Sequence, residues 1–229
     1  MKQYQAVSFD GDMTLWDFEK VMRHSLSKVR ALLKEKHPTA EISIEDMIRI
    51  RNEVAESLKG KVTNLEQIRL QAFIQTLNYL GIDDPALAAE LNALYLKHRF
   101  EDIELYDDVK PVLNYLNETL PCGLISNGNS YPERCGLEDA FSFVVFSQDV
   151  GIEKPAPAIF EVALEKLGCP AEALVHVGDS LGSDVAGANA VGAVSVWLNR
   201  ERQENTSSIT PDFEISTLTE LRDLITLSN

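Results

Sequence analysis

Gln5-Ala6-Val7-Ser8-Phe9-Asp10-Gly11-Asp12-Met13-Thr14 begins as a short apolar run and stops at two acids flanking a turn-forming glycine. Such a segment reads as a buried strand ending in carboxylates. Three later segments repeat the form: Cys122 to Ile125 into Ser126-Asn127-Gly128, Phe143 to Phe146 into Ser147-Gln148-Asp149, and Ala173 to Val177 into Gly178-Asp179-Ser180. A further strand is expected from Ala193 to Leu198, after Gly192. Helical patterns alternate with these strands, one carrying Val109, Val112, Leu113 and Leu116, another Ile159, Phe160, Ala163, Leu164 and Leu167. Alternation of this kind implies an α/β fold with a parallel sheet covered on both faces, whose ligands bind beyond the carboxyl ends of the strands.

Between about Trp16 and Glu104 the alternation stops, leaving four helical patterns and no convincing strand. Phe18, Val21, Met22, Leu26, Val29, Leu32 and Leu33 form the first stripe, ended by His37-Pro38. Ser43 to Asp46 and Thr63 to Glu66 read as capping boxes, and Asp84-Pro85 as an N-cap followed by proline. The expected organisation is a core in two parts, 1–15 and 105–229, interrupted by a helical insert, 16–104.

Composition narrows the function. The chain of 229 residues carries 21 Lys+Arg against 36 Asp+Glu, a net charge of −15, which repels a phosphate backbone and argues against a nucleic-acid polymer as ligand. The imbalance lies outside the insert, which holds 13 basic and 15 acidic residues against 8 and 21 elsewhere. No apolar run approaches the ~20 residues needed to span a bilayer, and an acid follows the first apolar segment, so a cytoplasmic protein without membrane partners is expected. Cys122, Cys135 and Cys169 show neither disulfide nor zinc spacing. His24, His37, His98 and His176 share no ligand spacing, and core or surface roles are expected for them.

Asp10, Asp12, Asp179 and Asp184 are expected at strand ends around one crevice, together with Ser126 and with Lys154 in the loop Gly151-Ile-Glu-Lys-Pro155. Carboxylates so gathered repel one another unless a cation lies among them, and oxygen-only ligands beside a phosphate-binding serine and lysine suit Mg2+.

Asp10-Gly11-Asp12-Met13-Thr14 resembles the D-x-D-x-T signature of the haloacid dehalogenase (HAD) superfamily. Leu124-Ile-Ser126-Asn127, Glu153-Lys154-Pro155 and Gly178-Asp179-Ser-Leu-Gly-Ser-Asp184 resemble its other three motifs, in order. The resemblance implies a Rossmann-like core with an α-helical cap inserted between the first and second motifs. It implies that Asp10 attacks phosphorus, that Asp12 serves as acid and then base, and that Thr14 fixes the turn between them. Ser126 and the backbone at Asn127 would hold phosphoryl oxygens, with Lys154 neutralising charge on nucleophile and phosphate. Mg2+ would be held by Asp10, the Asp12 carbonyl and Asp179, with Asp184 a direct or water-mediated ligand. The fourth residue of the first motif, often glycine or polar in the family, is Met13 here, and it either shapes the entrance or only packs.

A second aspartate at position 12 points to phosphate esters, since a departing halide needs no proton. The expected partner is a small-molecule phosphate ester, nucleotide-like or flavin mononucleotide-like from the Ser126 to Asn129 and Val150 to Pro155 stretches, with phosphoglycolate-type or sugar phosphatases close behind. Trp16 is expected to stack on a substrate ring or to pack at the hinge. Of the cap's Arg23, Lys28, Arg30, Arg49 and Arg51, most form a solvated face. The same residues are also compatible with a phospho-aspartate receiver module, a binding protein without turnover, or a dehalogenase or phosphomutase. The expected assembly is a monomer or homodimer.

Overall fold

The structure, a computed structural model, describes residues 4–226, so the outermost residues of the two expected core segments lie outside the described residues. The chain forms two compact units, one built up to Asp17 and again from Leu105, the other from Phe18 to Glu104. Trp16 and Asp17 stay with the first unit, because Trp16 bridges in β fashion to both Asp12 and Leu105.

The first unit is a six-stranded, all-parallel sheet in the order β3-β2-β1-β4-β5-β6. Its strands are β1 (Ala6–Phe9), β2 (Cys122–Ser126), β3 (Phe143–Phe146), β4 (Leu174–Gly178), β5 (Val194–Leu198) and β6 (Phe213–Ile215). Every residue of β1, β2, β4 and β5 is buried, as a sheet covered on both faces requires. One cluster under the sheet joins Ala6, Ile125, Phe143, Val145 and Leu174 to Ile159, Phe160 and Ala163 of a helix at Pro157–Leu167. This is the Rossmann-like order, in which the chain winds from β1 to one edge, returns, and winds to the other. The return places the carboxyl ends of β1 and β4 side by side at the switch point, and these are the ends that carry Asp10 and Asp179.

The second unit packs α1 (Phe18–Lys36), α2 (Ile44–Leu58), α3 (Leu65–Tyr79) and α4 (Pro85–Glu101) around a core of Met22, Leu26, Val29, Leu33, Met47, Phe73, Leu77, Leu91 and Tyr95. Ser43 caps α2 by accepting from the Asp46 N–H, and Asp84 caps α4 ahead of Pro85. The α3 cap is Asn64, one residue later than the Thr63 expected, since its side-chain oxygen reaches the Gln67 N–H. Among the described residues, no helix is long and apolar enough to cross a membrane.

Candidate active site

β1 delivers Asp10 into the switch point, where the backbone turns at once. The Thr14 and Leu15 N–H groups both donate to the Gly11 carbonyl, and the Met13 N–H donates to the Trp16 carbonyl at 2.8 Å. Met13 has φ +66°, a left-handed conformation uncommon for a side chain of its size. That strain is held by the turn hydrogen bonds on either side of it. Thr14 is fully buried; its hydroxyl lies 3.3 Å from Asp179 Oδ1 and accepts from the Asp179 N–H at 3.1 Å, tying the β1 turn to the end of β4.

Lys154 sits at the centre of the site. Its ammonium donates to Asp10 Oδ1 at 2.6 Å, to Asp184 Oδ1 at 2.6 Å and to the Ile125 carbonyl at 2.7 Å. A buried ammonium is tolerable only when so paired. Lys154 therefore joins Asp10 to Asp184, and with three hydrogen bonds made inside the protein it would reach a phosphate only by exchanging one of them. Asn127 anchors the lysine's loop: its side chain donates to the Lys154 carbonyl at 3.0 Å and accepts from the Lys154 N–H at 2.8 Å. That leaves the backbone, not the amide, of Asn127 for a ligand. The Ser126 hydroxyl is buried beside it and accepts from the Gly128 N–H at 3.0 Å.

Asp10, Asp179 and Asp184 bring carboxylate oxygens within 4.8 Å of one another. Burial pushes the Asp10 carboxyl up to about 8, Lys154 opposing the rise and Asp184 and Asp179 adding to it. Burial, reinforced by Asp184, pushes Asp179 up to about 6. Asp184 is buried too, yet Lys154 and His176 hold its carboxyl below the usual range. Three hard oxygen donors, two of them with carboxyls raised by burial, fit a divalent ion of the magnesium type. Asp184 Oδ1 is taken by Lys154, and Oδ2 accepts from the Ser180 N–H at 3.0 Å, so both of its oxygens already carry hydrogen bonds.

Asp12 is treated differently. Its Oδ1 accepts from the Trp16 indole N–H at 2.6 Å and from the Ser130 hydroxyl at 3.0 Å. A Cβ added to Gly128 would lie 2.6 Å from Asp12 Oδ2, so only glycine lets this loop close on the carboxylate. Trp16, expected to stack on a substrate ring or to pack at the hinge, is placed within the turn itself. Its ring is fully buried, 2.5 Å from where a Gly11 Cβ would stand, and its N–H is engaged by Asp12. The tight turn folds the indole back over Gly11.

Sequence reasoning missed Ser130, Gly128 and His176. His176 lies mid-strand as read, but it is also a link in the site: Nδ1 is 2.8 Å from the Ser8 hydroxyl and Nε2 is 3.4 Å from Asp184 Oδ1. Burial lowers its pKa, so the ring is neutral behind the Asp184–Lys154 pair. Trp197, from β5, donates to the Asp179 carbonyl at 2.8 Å. The run Ser126 to Tyr131 carried the only sequence signal for Ser130, as a polar loop after a strand end.

A Rossmann-like sheet with an aspartate pair at the end of β1 and a buried lysine facing it defines a class of hydrolases. The model of the haloacid dehalogenase-like hydrolases matches residues 4–192, and the chain belongs to that family. It is 32% identical over 233 residues to a glyceraldehyde 3-phosphate phosphatase of Methanopyrus kandleri, covering 96% of this chain and 97% of the relative. Over 228 residues it is 30% identical to a 5-amino-6-(5-phospho-D-ribitylamino)uracil phosphatase of Escherichia coli, covering 96% and 95%. The solved 2-haloacid dehalogenase of Pseudomonas syringae is similar in fold, with a TM-score of 0.85 at 30% identity over 99% of this chain and 100% of that one.

Proposed function

We propose that this hydrolase is a cytoplasmic, Mg2+-dependent phosphatase that cleaves a small soluble phosphomonoester through a phosphoryl-Asp10 intermediate. The observation that carries the reading is the pair of carboxylates at the end of β1, one facing an ammonium and the other held by an indole N–H and a hydroxyl. Asp10 Oδ attacks phosphorus and the ester P–O bond breaks, while Asp12 gives its proton to the departing oxygen. Asp12, now a carboxylate, takes a proton from water as that water attacks the phosphoryl group, which frees Asp10 and inorganic phosphate. Lys154 lowers the cost of negative charge on Asp10, and Ser126 with the backbone at Asn127 would receive phosphoryl oxygens. Asp10 and Asp179, with the Asp12 carbonyl, would hold Mg2+, Asp184 joining them through water because both its oxygens are already bonded; bound there, the ion supplies charge neutralisation.

The likeness to a dehalogenase raises a second reading, and Asp12 argues against it, since halide departure needs no acid. The two phosphatase relatives are named for small phosphomonoesters, a glyceraldehyde 3-phosphate and a phosphoribitylamino-uracil. A nucleotide-like or flavin mononucleotide-like ester is favoured, ahead of a triose, glycolate or sugar phosphate. Phosphate release measured over such a panel should require Mg2+ and vanish in excess chelator. Halide release from 2-haloacids without phosphate release would overturn the assignment.

A further inference from the structure

The helical unit gathers a second set of ligand side chains, of a different chemistry from the carboxylates of the sheet unit. His98 and Asp102 are four residues apart where α4 ends, so they share one face, and α1, packed along α4, adds His24. His98 Nδ1 lies 2.6 Å from Asp102 Oδ2, and His24 Nε2 lies 3.1 Å from the same oxygen. The two imidazoles meet edge to face, with centroids 5.8 Å apart at 78°. One donor atom from each of the three side chains falls within 4.8 Å of the others.

We propose that His24 Nε2, His98 Nδ1 and Asp102 Oδ2 form a binding site for a divalent transition-metal ion, zinc foremost. Two imidazole nitrogens and one carboxylate oxygen are ligands zinc takes, whereas magnesium favours oxygen alone. Zinc bonds of about 2.0–2.2 Å in a tetrahedron set donors roughly 3.3 Å apart, so the His98–Asp102 pair need open by less than about 1 Å. The side chains are 44%, 21% and 39% exposed, which lets an ion enter without unfolding and leaves the remaining position to water. Asp102 is held below the usual carboxylate range by the His98 hydrogen bond, so an anion already faces the two rings. On binding, the ring nitrogens that now face Asp102 present lone pairs, and each neutral ring carries its proton on the other nitrogen. The bound ion would join α1 to α4, the first and last helices of the unit. His24 and His98 are 74 positions apart in sequence, which is why no ligand spacing is visible there.

The test is a zinc titration of the whole chain by calorimetry and by competition with a chromophoric chelator, in excess Mg2+ so that the acidic cluster is occupied. Wild-type protein should bind one Zn2+ that His24→Ala or His98→Ala weakens at least tenfold and the double variant abolishes. Asp102→Asn, which keeps the side chain's shape, should also weaken it, and His37→Ala should leave it unchanged. Zn2+ should raise the thermal midpoint of the wild type and not that of the double variant, with circular dichroism confirming that each variant folds. Equal zinc uptake by wild type and double variant, or none by the wild type, would overturn the site.

Discussion

The two units place their charged residues by opposite rules. In the sheet unit Asp10, Lys154 and Asp184 are buried, each bonded to another member of the set. In the helical unit the ion pairs Arg23–Glu19, Arg49–Glu53 and Lys36–Glu90 lie on half-exposed or exposed side chains. Arg99 is the exception, buried with its guanidinium 4.5 Å from the Phe18 ring. Burying a charge costs several kcal/mol unless it is well paired, whereas a surface pair contributes about 0–1 kcal/mol. Charges retained against that cost, as at Asp10, Lys154 and Asp184, single out the group on which the proposed chemistry rests; paired charges on the helical surface carry little information about substrate.

The sharpest break of this contrast is in the sheet unit. Asp10→Asn should abolish turnover, and Asp12→Asn should lower kcat by roughly 10²–10⁴, the share of general acid–base catalysis. Trp16→Phe keeps the ring over Gly11 and removes only the N–H to Asp12, a hydrogen bond to a charged group worth about 1.5–3 kcal/mol. kcat should fall by about ten- to a hundredfold on an alkyl phosphate and less on an aryl phosphate, whose leaving group needs little proton assistance. An equal loss on both esters would make Trp16 a packing residue only.

Stability against pH sharpens the same contrast. In the folded chain Asp10 stands at about 8 and Asp179 at about 6, against about 3.9 for a free aspartate. The folded state therefore holds more protons, and the stability of chelated protein should fall as pH rises from about 4 towards 8. His176, lowered by burial, acts in the opposite sense below about 6.5, so the interval from about 6.5 to 8 isolates Asp10. Thermal midpoints across that interval should decline for chelated wild type, and much less for Asp10→Asn or with Mg2+ present. The smallest effect belongs to the helical surface. Arg49→Ala, which removes exposed pairs with Asp46 and Glu53, should change stability by no more than about 0.5 kcal/mol in a denaturant titration.

The contrast also explains what sequence could show. Strands buried on both faces and ending in acids are legible, because burial and turn chemistry are local signals; Asp10, Asp179 and Asp184 meet at the switch point as their segments implied. β6 was not legible, since two of its three residues are exposed and it carries no alternation. Ser130 meets Asp12 across 118 positions, and Ser8 meets His176 across 168, separations that only the sheet order brings to contact. The orientation of Trp16 was not legible, because an aromatic after the first motif reads the same whether the turn sends its ring outward or back over Gly11.

If Asp10 becomes phosphorylated, Asp12→Asn offers the means to trap the intermediate. An aryl phosphate can transfer its phosphoryl group without an acid, but the attack of water on the phosphoryl-Asp10 then lacks its base, so the covalent enzyme should accumulate. Mass spectrometry of the quenched protein should find one phosphoryl group on the peptide containing Asp10, and none in Asp10→Asn. Phosphoryl transfer to another residue, or turnover of the ester by Asp10→Asn, would contradict the account.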